Sequence, residues 1–116
     1  MTNYIWITTQ KELIHKYEQA PDDVAFLRNE HRHIFHFKIY IEIKHDNRDI
    51  EFILFKRFCE NIINEMNINL DNKSCEMISK YIYNKIGVIY PYRKIKIEIS
   101  EDNENGVEYN FPIYIT

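Results

Sequence analysis

The sequence predicts an α+β fold, ββααββ in chain order, with an antiparallel four-stranded sheet and two helices on one of its faces. Three observations predict it. The stretch His31-Arg32-His33-Ile34-Phe35-His36-Phe37-Lys38-Ile39-Tyr40-Ile41-Glu42-Ile43-Lys44 alternates side chains with the period of one long strand. After it, apolar residues recur at helical spacing in two blocks, separated by the polar break from Asn67 to Lys73. Lys94-Ile95-Lys96-Ile97-Glu98-Ile99-Ser100 then returns to strict alternation and leads into Asp102-Asn103-Glu104-Asn105-Gly106, the composition of a hairpin loop.

Taken in order, Tyr4 to about His15 forms the first strand, because Tyr4, Trp6 and Thr8 alternate with Ile5, Ile7 and Thr9. Lys16 to Glu30 is a connection with a turn signal at Ala20-Pro21-Asp22-Asp23, and long ordered loops in small domains often carry function. The second strand, about His31 to Lys44, sets His31 and His33 on one face with Phe35, Phe37, Ile39, Ile41 and Ile43. Arg32, Ile34, His36, Lys38, Tyr40 and Glu42 take the other face. Across the polar turn His45-Asp46-Asn47-Arg48-Asp49, the expected N-cap of the first helix is Asp49, with Glu51 at its positive end. That helix runs to about Met66 and is expected to bury Phe52, Phe55, Phe58, Cys59, Ile62 and Ile63. A second helix starts near Ser74, carries Cys75, Ile78, Tyr81, Ile82, Ile86 and Ile89 on one side, and ends at Pro91. The third strand is Lys94 to Ser100, and the fourth runs from Val107 to about Ile115.

Composition narrows the function classes. The 116 residues fit a single domain, 1–116, without repeat or linker, and 45% apolar content supports a compact core. A net charge of -3 with scattered Lys and Arg gives no footprint for nucleic acid. No apolar run is long enough for a membrane span. Two cysteines and no leader-like N-terminus point to a reducing, cytoplasmic setting.

His31 and His33 stand at i and i+2 on one strand face. Two such imidazoles bind one metal if a third ligand arrives from elsewhere, and otherwise they merely cap an apolar face. Glu101, beside Asp102 and Glu104, is either a surface carboxylate or the anchor for the amino and ring N–H edge of a heterocycle. Cys75 lies in a first helical turn, where the dipole lowers a thiol pKa, although a small packing residue suits the position equally. Cys59 falls on the apolar side of its helix. His36 points away from the pair, and His45 sits in a polar turn.

These residues, in this order, resemble the pyruvoyl-tetrahydropterin synthase and carboxytetrahydropterin synthase family, which has the T-fold. The family's His-x-His opens a long strand, as His31-Arg32-His33 does. Its Asp-Phe and Leu-Lys pairs at the first helix are matched in spacing by Glu51-Phe52 and Phe55-Lys56. Its Pro-Thr-Ala/Ser-Glu stretch at the second helix is similar to Lys73-Ser74-Cys75-Glu76, and Glu101 stands where its pterin-binding glutamate ends the third strand.

The resemblance implies a zinc or other divalent metal on His15, His31 and His33, and a purine- or pterin-like small molecule held by Glu101, Ser74 and Cys75. It also implies homo-oligomers that close their sheets into a barrel with the pocket at the subunit interface. Two departures stand out. Leu27 occupies the place of the family's catalytic cysteine, and no Asp-His pair lies in Asn67-Ile68-Asn69-Leu70-Asp71-Asn72. No catalytic residue is therefore assigned, and the expectation is a protein that binds and sequesters its ligand, with a zinc-dependent synthase as the alternative. The wording around Phe26-Leu27-Arg28 and the last hairpin resembles small stand-alone relatives encoded by bacteriophages.

Overall fold

A computed structural model describes residues 1–66 and 72–116. The order is β1 (Asn3–His15), a 3₁₀ helix (Asp22–Arg28), β2 (His31–Ile43), α1 (Phe52–Glu65), α2 (Cys75–Ile89), β3 (Ile95–Glu101) and β4 (Asn105–Phe111). The strands form one sheet in the order β1-β2-β3-β4, every neighbour antiparallel. The α+β, ββααββ architecture expected from the sequence is the one observed. No helix among the described residues is long and apolar enough to cross a membrane.

One sheet face is covered by the helices, α1 over β1 and α2 over β3 and β4. The alternation of β2 makes this face: Phe35, Phe37, Ile39 and Ile41 are buried against Ile95, Ile97 and Ile99 of β3. Phe55, Cys59, Ile62 and Ile63 of α1 and Ile78, Ile82 and Ile86 of α2 close the core from above. The opposite face is uncovered and amphipathic. There the Lys38 ammonium lies 4.3 Å from the centre of the Trp6 ring, and the Tyr40 hydroxyl donates to Glu98 at 2.6 Å.

Three local expectations are corrected. Helix α1 is capped by Glu51, whose carboxylate accepts the N–H groups of Ile53 and Leu54, not by Asp49. Asp49 is engaged elsewhere, accepting the Lys44 N–H at 2.6 Å and the Arg93 guanidinium at 2.7 Å, so it ties the end of β2 to the start of β3. Phe52 and Ile89 are exposed rather than core, Phe52 as the first residue of α1 and Ile89 as the last of α2. Strand β4 stops at Phe111, because Pro112 has no N–H to continue the ladder.

The Asp49–Arg93 pair is mostly buried, with side chains 11% and 15% exposed. Hydrogen bonds from Arg93 first, and from the Lys44 N–H, pull the Asp49 pKa down to about 2. A depressed carboxyl stabilises the fold above its unfolded pKa of about 4, and that contribution is lost as pH falls through the folded value. Asp49→Asn is therefore expected to cost about 2 kcal/mol at neutral pH. The gap to the wild type should close between pH 4 and pH 2 in urea melts. Equal stabilities at neutral pH would contradict the assignment.

The β3–β4 hairpin positions the site described next. Asp102 and Asn103 both have positive φ, 56° and 59°, and the Glu104 N–H donates to the Glu101 carbonyl at 3.0 Å, as in a type I′ turn. Asp and Asn tolerate this left-handed region better than other side chains. A Cβ on Gly106 would lie 2.1 Å from the Ile99 carbonyl oxygen, so glycine is what lets β4 close on β3 behind the turn.

Candidate metal centre

The β1–β2 register sets His15 directly opposite His31 and Leu13 opposite His33. A slip of one residue would send His15 to the other face, so the buried apolar set on β1 and β2 also fixes the imidazoles. The three rings sit close together, with centroids 4.5 Å (His15–His31), 4.9 Å (His31–His33) and 5.3 Å (His15–His33) apart. One ligand nitrogen from each lies within 4.8 Å of the other two. The structure thus brings together all three histidines predicted from the sequence, in a group that could hold a metal ion.

Each ring has its Nδ1 against an acceptor. His15 Nδ1 is 3.2 Å from the Lys73 carbonyl, His31 Nδ1 is 2.8 Å from the Asn29 carbonyl, and His33 Nδ1 is 2.6 Å from an Asp102 carboxylate oxygen. Carbonyls and carboxylates only accept, so each Nδ1 carries a proton and Nε2 is the nitrogen left to offer a lone pair. All three Nε2 atoms are buried and lack a hydrogen-bond partner among the described residues. Three buried, unpartnered ring nitrogens close together are costly unless something engages them. Burial also lowers the pKa of His15, which keeps that ring neutral, as a metal ligand must be.

The supporting contacts come from parts of the chain that sequence reasoning passed over. Asn29 caps the end of the 3₁₀ helix in the β1–β2 connection, and Lys73 precedes α2. Asp102, read from the sequence only as a loop residue, clamps β2: its N–H donates to the Ile34 carbonyl at 2.8 Å and its carboxylate accepts the Ile34 N–H at 2.8 Å. The hydrogen bonds from His33 and then Ile34 hold its carboxyl below the usual range. Its position beside Glu101 was the available signal. The two backbone carbonyls had none.

Glu101 completes the surroundings. Phe35 of β2 pairs with Glu101 of β3, which places Glu101 one step beyond His33 on the same face. Glu101 Oε2 lies 2.9 Å from His33 Nε2 and 3.7 Å from His15 Nε2. Cys75 Sγ is 3.7 Å from Glu101 Oε1. Burial first, and the Glu101 carboxylate second, push the Cys75 thiol up to about 12. The expectation that the helix dipole lowers it is thus reversed, because desolvation outweighs the dipole at this buried position. Ser74 is the N-cap of α2, its hydroxyl accepting the Met77 N–H at 3.2 Å.

Ser74, Cys75 and Glu101 line one cavity of roughly 870 Å³ together with the three histidines. Leu27 lines it too, as do the exposed side chains of Tyr17, Phe26 and Met77. His36 does not join them. It borders a separate cavity lined also by Lys56 and Glu60 of α1, and His45 stays in its turn, 3.5 Å from Asp49. Most of the linker between the helices, where the family's Asp-His pair is missing, lies outside the described residues.

No family model and no curated protein matches this chain. The centre must be read from its own chemistry. Three imidazoles, each oriented by a partner on its second nitrogen, are a donor set suited to zinc and to similar divalent ions. The residues present therefore fit a metal.

Proposed function

We propose that this protein is a pyruvoyl-tetrahydropterin synthase-like T-fold protein. In this reading it holds zinc, or another divalent cation, on His15, His31 and His33, and binds a purine- or pterin-like nucleotide beside it. The convergence of three unpaired Nε2 atoms carries the reading. A cavity of roughly 870 Å³ is within the size range of small-molecule sites, and Glu101 on its wall offers a carboxylate to the edge of a heterocycle. A bound cation supplies Lewis acidity toward a ligand oxygen. Leu27 contributes an apolar wall, Ser74 an oriented helix terminus, and Glu101 the polar anchor.

Sequestration is preferred to conversion. General acid–base groups contribute about 10² to 10⁴ in rate. Leu27 replaces the family's cysteine with a side chain that has no proton to give, and the Cys75 thiol stays protonated at neutral pH. One observation favours the alternative, a zinc-dependent pyruvoyl- or carboxy-tetrahydropterin synthase acting on dihydroneopterin triphosphate: three protein ligands is the number found in catalytic zinc sites. Among the described residues, the outer strands β1 and β4 each have one unpaired edge. Pairing between copies would cover these edges, in keeping with a homo-oligomeric barrel.

The test is metal analysis of protein purified without added zinc, followed by calorimetric titration with pterins and purine nucleotides. One bound divalent ion per chain and saturable binding of a ring from this set are expected. No metal, or no binding across the panel, overturns the reading. Product formation from dihydroneopterin triphosphate moves the conclusion to the synthase, and a monomer by light scattering at micromolar concentration removes the barrel.

A further inference from the structure

We infer that Glu101 is a fourth ligand, closing the coordination sphere over the three imidazoles while the cavity is empty of substrate-like molecules. This rests on the metal reading above and assigns Glu101 a role beyond anchoring a heterocycle. Two observations lead to it. Glu101 Oε2 is 2.9 Å from His33 Nε2 and 3.7 Å from His15 Nε2. Yet Nε2 of His33 has no hydrogen-bond partner among the described residues, so the close approach lacks hydrogen-bond geometry.

Nδ1 of His33 donates to Asp102, and its Nε2 stands close to a carboxylate oxygen without N–H···O geometry to it. A ring proton therefore does not bridge the two atoms, whereas a shared cation would. In a tetrahedral site with metal–ligand bonds of about 2.0–2.1 Å, neighbouring ligand atoms stand roughly 3.4 Å apart. The two Glu101 distances bracket that value. The carboxylate also brings negative charge to a set of otherwise neutral donors.

The consequence is a gated centre. A site with four protein ligands has no open position, whereas three ligands leave one for water or substrate. Glu101 ends β3 at the hairpin, its side chain 21% exposed, and among the described residues its second oxygen meets the weak donor Cys75 Sγ at 3.7 Å. Turning the carboxylate away opens the fourth position and frees both of its oxygens for a heterocycle. Ligand binding and opening of the metal are then one event.

The test is visible spectroscopy of the cobalt(II)-loaded protein, with zinc affinity measured against a competing chelator. The wild type is expected to show the intense bands of four-coordinate cobalt and to resist perturbation by azide. Glu101→Gln should lose about 10–100-fold in zinc affinity, with bands that shift on adding azide. Glu101→Asp, which keeps the charge but shortens the reach, should resemble it. Spectra and affinities identical to wild type in both variants overturn the fourth ligand and leave the three-histidine site standing. Failure of the wild type to take up cobalt or zinc overturns the metal reading, and this inference with it.

Discussion

His33→Ala is expected to lower zinc affinity by at least about 100-fold, the upper end of what removing a mere supporting partner costs. The ring supplies one of the three Nε2 atoms and is held on its other side by Asp102, at 2.6 Å from Nδ1. His33 lies outside the apolar core cluster, so the fold should survive the change. The companion variant is Asp102→Asn. Asparagine suits the left-handed backbone at this position, φ 56°, and its amide oxygen still accepts the Ile34 N–H. The amide nitrogen then faces His33 Nδ1 and donates to it. The ring proton moves to Nε2, which loses its lone pair. A loss of about 10–100-fold is expected without any change in ligand number. Competition with a chromogenic chelator measures both. Wild-type affinity in His33→Ala would show that the imidazoles only cap an apolar face.

Phe35→Ala should cost about 4 kcal/mol and lower the melting temperature by on the order of 15 °C. Phe35 is fully buried in the middle of the apolar face of β2. Its ring also meets His15 and His33 edge-on, with centroids 5.3 Å and 6.1 Å away. Removing it leaves a cavity in the core and takes away the wall that sets the rotamers of two ligands, so zinc affinity should fall as well. Phe35→Leu keeps most of the volume and should cost about 1 kcal/mol, which provides a folded protein if the alanine variant does not accumulate. Saturating zinc should raise the melting temperature of the wild type more than that of either variant, because ligand stabilisation follows affinity. An alanine variant melting within about 3 °C of wild type would contradict this placement of Phe35.

The element order and the faces were legible because periodicity is a local property. Alternation along β2 placed His31 and His33 on the covered face, and it did so before any tertiary contact was known. Helical spacing found α1 and α2, but it overreached at their ends: Phe52 and Ile89 satisfy the period yet face solvent. Capping was misassigned for a related reason. Asp49 has the side chain a cap prefers, but Arg93, distant in sequence, claims it.

By itself, then, the sequence determined an α+β chain with two imidazoles side by side on a buried strand face, a third upstream, and an acidic residue at the end of β3. The tertiary structure alone decided that these meet. It set His15 across from His31, turned each Nδ1 toward Asn29, Lys73 or Asp102, and brought the Glu101 carboxylate within reach of two ring nitrogens. The physical reason is that a strand's period specifies which way a side chain points, whereas the atom it points at belongs to whichever distant segment the packing of the core carries there.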